Sequence, residues 1–211
     1  MSSLSNPFLI GVTGTIGSGK SLVGNILTEL NVFVIDSDHI VHEILDNNDK
    51  IKEEVIKTFG EEYKLNIDNN KFSINRKLLG NLVFSNSIAK KNLEKIVHPQ
   101  VLININEIIY KNNSFKFIAC LIPLLFENNL QNLFNEIWTV YADKNILQKR
   151  LLKRDKISID EINNRINSQL SQIEKMTLAN FTINNSFSKE ETKKQVVNRL
   201  NYIKNSLSIN L

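Results

Sequence analysis

The sequence predicts an α/β fold, a central parallel β-sheet flanked by helices. Short apolar runs of strand length alternate along the chain with segments whose apolar residues recur at helical spacing. The first strand, first helix and second strand fit within about 30 residues, the length of one βαβ unit with parallel strands. A glycine-rich loop joins that first strand to that first helix.

Phe8–Val12 is the first strand, and Leu22, Val23, Ile26, Leu27 and Leu30 line one face of the helix after the loop. Asn31 ends that helix, and Val32–Ile35 reads as a second buried strand. From Ile40 to Pro99 the pattern is mostly helical, with polar breaks at Asp46–Asp49, Asn66–Asn70 and Asn86 and one weak strand candidate near Lys71–Ile74. His98-Pro99 is expected to mark a helix boundary, with a helix continuing over Val101–Tyr110. Phe115–Leu121 and Ile137–Tyr141 are the next strands, and a Lys- and Arg-rich helix opens at Asn145. A polar helical hairpin runs through Ser171, Phe181–Ile183 is a last short strand, and Lys189–Leu207 a last amphipathic helix.

Composition narrows the function classes. Hydrophobic residues at 42% and charged residues at 23% exclude whole-chain disorder. Asn, Ile and Lys are unusually frequent, which reads as coding bias. A net charge of +4 suits nucleic acid or small polyanions such as nucleotides. The chain lacks a run of five or six like charges and has only one Trp and four Tyr, where a nucleic-acid-dependent ATPase would favour a larger basic face with interleaved aromatics, so nucleic acid is not the expected partner. The single cysteine, Cys120, excludes an internal disulfide and fits a reducing compartment. Met1–Pro7 lacks signal-peptide character, and the apolar stretches Phe8–Val12 and Phe117–Phe126 are too short to span a bilayer. A cytoplasmic protein without a membrane partner, and a monomer, is the expectation.

The loop Gly14-Thr15-Ile16-Gly17-Ser18-Gly19-Lys20-Ser21 matches the phosphate-binding pattern G-x-x-x-x-G-K-[ST] at every position. Its glycines let the backbone curl so that successive N–H groups face one phosphate. The helix N-terminus that follows favours an anion. Lys20 can reach the β- and γ-phosphates of ATP, and the Ser21 hydroxyl can ligate Mg²⁺. A chance glycine-rich turn is the alternative, but the predicted strand before and helix after are the context the motif requires.

The second strand ends in Ile35-Asp36-Ser37-Asp38-His39, at the edge where parallel sheets bind ligands. Phosphoryl transfer to a hydroxyl needs a carboxylate to orient it and accept its proton. Asp38 is the candidate base. Spacing allows equally that Asp38 caps a helix starting near His39. Asp36 is either structural or holds a magnesium-bound water. His39 and His42 have no third ligand nearby, so zinc is not expected. Arg150 and Arg154, four apart, share a helix face that could close over a phosphoryl group. The same face could instead be solvated and paired with Asp155, Asp160 and Glu161. A guanine-reading N-K-x-D and a D-x-x-G are both missing, which argues against a GTPase.

Taken in order, these motifs resemble the dephospho-coenzyme A kinases. The resemblance runs from Ile10 to about Asn185: the loop with its flanks, Val34-Ile35-Asp36-Ser37-Asp38, His98-Pro99, Ile122-Pro123-Leu124-Leu125-Phe126-Glu127, and Gln148–Asp155 with Arg165-Ile166 and Gln169. It implies a P-loop NTPase-type core within one domain over residues 1–211, an inserted helical coenzyme A region at about 39–98 and an arginine-bearing helical lid at about 145–180. It implies ATP-dependent phosphorylation of the ribose 3′-hydroxyl of dephospho-coenzyme A, the last step of coenzyme A synthesis, with Mg²⁺. It places Asp38, Lys20 and Arg150 in catalysis, Gly14 through Ser21 with Leu22 and Arg154 at ATP, and Ser21 at the metal. Thr15 replaces the family's usual Gly and Leu22 its usual Thr. Phe115–Leu121 carries no carboxylate, so metal ligation rests on Ser21 with waters or Asp36.

Overall fold

A computed structural model describes residues 6–68, 71–155 and 157–209. The chain forms two compact units, one made of the residues up to Ile35 and from Asn112 onward, the other of Asp36–Lys111. The first unit opens with β1 (Phe8–Thr13), α1 (Lys20–Glu29) and β2 (Phe33–Asp36). The second holds α2 (Ser37–Asn47), α3 (Asp49–Phe59), β3 (Lys64–Asp68), β4 (Lys71–Ile74), α4 (Arg76–Ser85) and α5 (Ser87–Lys111). The chain then returns to the first unit with β5 (Phe117–Leu121), β6 (Glu136–Tyr141), α6 (Lys144–Asp155), α7 (Ile159–Asn167), α8 (Gln172–Leu178), β7 (Phe181–Asn184) and α9 (Lys189–Ile209).

The first unit is the parallel α/β layer that the sequence predicts. Its sheet has the order β2-β5-β1-β6-β7. β1 lies between two parallel neighbours, with Ile10 opposite Ala119 on β5 and Glu136 on β6. A strand covered on both faces must be apolar throughout, which is why Phe8–Val12 is a continuous run rather than an alternating one. β1 and β2 belong to one βαβ unit in sequence, but β5 is inserted between them. Ile10, Val12, Val23, Leu27, Trp138, Val140, Ile183 and Leu200 form the buried core, and α1 packs on β5 and α9.

In the second unit α2, α3 and α4 pack on α5. Two sequence readings fail here. The expected boundary at His98-Pro99 does not exist, because α5 passes through Pro99 without a break. The proline removes the N–H that would bond the Lys95 carbonyl, at about 3 kcal/mol, a cost that burial of Val97, Val101 and Ile105 offsets. The polar break expected over Asn66–Asn70 covers most of β3, which pairs antiparallel with β4 through Leu65–Ser73 and Asn66–Phe72; Asn69 and Asn70 lie outside the described residues. Asn and Asp are depleted in strands. Here the ribbon gains from its partner, since Lys52 and Lys64 hold their ammonium groups 5.2 and 4.9 Å from the Phe72 ring centre. No helix among the described residues is long and apolar enough to cross a membrane.

Candidate functional site

The loop leaves the carboxyl end of β1 and turns back into α1. Its conformation demands glycine at specific places. Gly14 has φ +148, and a Cβ there would lie 2.3 Å from the Val140 carbonyl oxygen. Gly19 has φ +103, and a Cβ there would meet the Asn185 amide nitrogen at 1.9 Å. Gly19 precedes the first turn of α1, which carries no side-chain cap and no acidic residue. The orphan N–H groups and partial positive charge of that helix end are therefore open to an anion.

Lys20 folds over the loop and donates from Nζ to the Gly14 carbonyl at 2.9 Å. Ser21 is exposed in the first turn of α1, and Leu22 packs its side chain against the core. Ser18 N–H closes a turn on the Thr15 carbonyl at 3.1 Å, and Ile16 N–H donates to Gln169 Oε1 at 3.2 Å. The hydroxyls of Thr15 and Ser18 are buried without a hydrogen-bond partner among the described residues.

Other strand ends in this unit converge on the loop. After β5, the Pro123 carbonyl accepts from Thr13 Oγ1 at 3.1 Å and from Lys175 Nζ at 2.7 Å. Lys175 is wholly buried and pairs with Glu127 at 2.9 Å. Glu127 also accepts from Leu170 N–H at 2.9 Å. After β6, Ala142 exchanges both backbone bonds with the Gln172 side chain. After β7, Asn185 donates from Nδ2 to the Ser18 carbonyl at 2.7 Å. The Ile122–Glu127 motif and Gln169 thus have identifiable structural partners, whereas Lys175, Asn185 and Thr192 escaped the sequence reading. Lys175 and Asn185 act through partners remote in the chain, which leave no local signal, and Thr192 matters only through its bond to Asn185.

Arg150, on α6, donates from one terminal nitrogen to the carbonyls of Gly17 and Ser18 at 3.4 and 3.2 Å. Its other terminal nitrogen donates to the Asn185 carbonyl at 2.8 Å. Arg154, one turn on, forms a two-pronged pair with Asp155 at 2.5 and 3.0 Å, and Arg165 joins the same carboxylate at 3.1 Å. The Arg154 hydrogen bonds, aided by both guanidinium charges, hold the Asp155 carboxyl below its usual range. Glu161 instead belongs to a capping box with Ser158 at the start of α7. The structure therefore gathers Gly14 through Leu22 with Arg150 in one place, and sets Arg154 in an ion-pair cluster.

Asp38 belongs to the second unit, and its local setting corrects the capping alternative. α2 starts at Ser37 rather than near His39, and its cap is Asp36, whose Oδ1 accepts from Asp38 N–H at 3.0 Å. Asp38 is exposed in the first turn. His98, on α5, is partly buried, which pushes its imidazole below the ordinary value against the opposing pull of Glu94.

Comparison with known proteins agrees with this architecture. A family model described as dephospho-CoA kinase matches residues 8–191. The dephospho-CoA kinase of Oceanobacillus iheyensis is 40% identical over 197 residues, covering 91% of this chain and 96% of that protein. The solved dephospho-CoA kinase of Campylobacter jejuni is 32% identical, with a TM-score of 0.66 over 94% of this chain and 98% of its own. A solved Thermus thermophilus protein is 26% identical, with a TM-score of 0.77 over 93% of this chain and 97% of its own. On the extent of these matches, and with an intact phosphate loop at the end of β1, the chain belongs to the dephospho-CoA kinase family.

Proposed function

We propose that this chain transfers the γ-phosphoryl group of ATP to the ribose 3′-hydroxyl of dephospho-CoA, giving CoA and ADP, the last step of CoA synthesis. The observation that carries the reading is the unbroken Gly14–Ser21 loop opening an uncapped helix, within a chain whose residues 8–191 match the family.

In this reading the loop N–H groups and Lys20 bind the β- and γ-phosphates. Arg150 and Arg154 belong to a lid over residues 145–180, whose arginines balance charge spreading over the transferred group. The second unit, Asp36–Lys111, receives the acceptor. Asp38 takes the proton of the 3′-hydroxyl while that oxygen bonds to the γ-phosphorus; the bond from the γ-phosphorus to its bridging oxygen breaks, and ADP leaves with those electrons. The exposure of Asp38, and a helix cap supplied by Asp36 instead, support this role. Mg²⁺ prefers hard oxygen donors and keeps several waters, so it needs few protein ligands. The donor set fits. The exposed Ser21 hydroxyl in the first turn of α1 is such a donor and would hold the ion together with phosphate oxygens and water. Bound there, the ion would neutralise part of the phosphate charge.

ADP release measured with dephospho-CoA, AMP and shikimate as acceptors tests the reading. Turnover is expected with dephospho-CoA alone. Lys20→Ala should lose orders of magnitude in turnover while folding normally. Asp38→Asn should lose about 10²-fold or more with both substrates still bound. Preference for another acceptor would overturn the substrate, a fully active Asp38→Asn the base, and an active folded Lys20→Ala the loop's role.

A further inference from the structure

Asn185 directly follows β7, is 2% exposed, and has every polar atom engaged. Its N–H donates to the Tyr141 carbonyl at 2.8 Å, and its carbonyl accepts from Arg150 at 2.8 Å. Its side-chain Nδ2 donates to the Ser18 carbonyl at 2.7 Å. Its Oδ1 accepts from the hydroxyl of Thr192, a fully buried residue of α9, at 2.9 Å; the Ser188 carbonyl lies 3.2 Å from the same hydroxyl. Only one orientation of the amide works, because the reverse would set two acceptor oxygens face to face at Ser18. The Ser18 carbonyl thereby receives two donors, the Asn185 amide and Arg150, which use both its lone pairs.

A trans peptide is planar, with its C=O and N–H pointing in opposite directions. Two donors gripping the Ser18 oxygen therefore set the direction of the Gly19 N–H, which must point away from Asn185. That N–H is the last before α1 begins at Lys20. The grip is tight, since any side chain at position 19 would collide with the Asn185 amide. We propose that Asn185, oriented by Thr192, is a positioning residue for the nucleotide: it holds the Ser18–Gly19 peptide so that the Gly19 N–H donates to a phosphate. The proposal deepens the function given above and rests on it for the identity of the nucleotide.

The test compares Asn185→Ala, Thr192→Val and Thr192→Ser with wild type in ADP titration without acceptor and in steady-state kinetics, all below each variant's melting temperature. Asn185→Ala should weaken ADP binding and raise KM for ATP by about tenfold or more, the scale of one hydrogen bond to a charged group. KM for dephospho-CoA should stay within about twofold. Thr192→Val removes only the hydroxyl that orients the amide and should shift ADP affinity in the same direction by less, with Thr192→Ser restoring most of it. ADP affinity unchanged in Asn185→Ala, KM values for both substrates rising together, or Thr192→Ser no better than Thr192→Val would overturn the proposal. If Asn185→Ala does not fold, the Thr192 pair decides. Failure of wild type to use dephospho-CoA would strike the proposed substrate, and the ADP titration would still judge Asn185.

Discussion

Lys175→Met tests the buried pair that ties α8 to the turn after β5. Lys175 is fully buried, and its Nζ donates to the Pro123 carbonyl at 2.7 Å and to the two Glu127 oxygens at 2.9 and 3.2 Å. Methionine fills nearly the same volume, so packing is preserved and the loss is electrostatic. Removing one member of a buried pair costs about 3–5 kcal/mol when the other stays charged and isolated. Glu127 is not isolated, since its side chain is 19% exposed and it retains the Leu170 N–H bond. The Pro123 carbonyl likewise keeps the Thr13 hydroxyl. The expected cost is therefore about 2–3 kcal/mol, or roughly a 1 M fall in the urea midpoint. Trp138, the one tryptophan, is fully buried in β6 of the same unit, so its fluorescence reports that unit's unfolding. Adding Glu127→Gln to Lys175→Met removes the stranded charge while an amide oxygen still accepts from Leu170, so the double variant should cost clearly less than the sum of the singles. A Lys175→Met cost below about 0.5 kcal/mol, or strict additivity, would refute the argument that this pair is electrostatically coupled.

Asp36→Ala should lower stability by about 1 kcal/mol through loss of the α2 cap, with Asp36→Asn costing only a few tenths, followed by far-UV circular dichroism in urea. Asp38→Ala should lower the same midpoint by less than Asp36→Ala, because Asp36 and not Asp38 accepts the capping bond. His98 should add an acid-side pH dependence: burial lowers its folded pKa below the ordinary 6.5, so the unfolded chain takes up the proton first. Stability should then fall as pH drops below about 6.5 and level off once the folded form is also protonated. His98→Gln should flatten that part of the melting-temperature profile, and an unchanged profile would refute it.

Local pattern was enough for the elements whose causes are local. The continuous apolar run of β1, the helical spacing of α1 and the glycine pattern between them are read within a few residues, because a strand buried on both faces, an amphipathic helix and a curled loop each impose their own periodicity. The same holds for β5, β6 and α9. Local pattern misled where a tertiary partner overrode propensity. Pro99 reads as a stop, yet packing of α2, α3 and α4 keeps α5 helical through it. Asn66 and Asp68 read as a break, yet β4 turns them into a strand. Asp38 reads by spacing as the cap of a helix starting near His39, yet α2 starts at Ser37 and the capping bond goes to Asp36. At the site, the residue types of the loop were legible, but what supports the loop was not. Asn185 meets Ser18 across 167 positions and Lys175 meets Pro123 across 52. Such contacts leave no periodicity in the chain. They exist because β1, β5, β6 and β7 lie in one parallel sheet whose carboxyl ends bring remote loops together, and that order is a property of the tertiary structure alone.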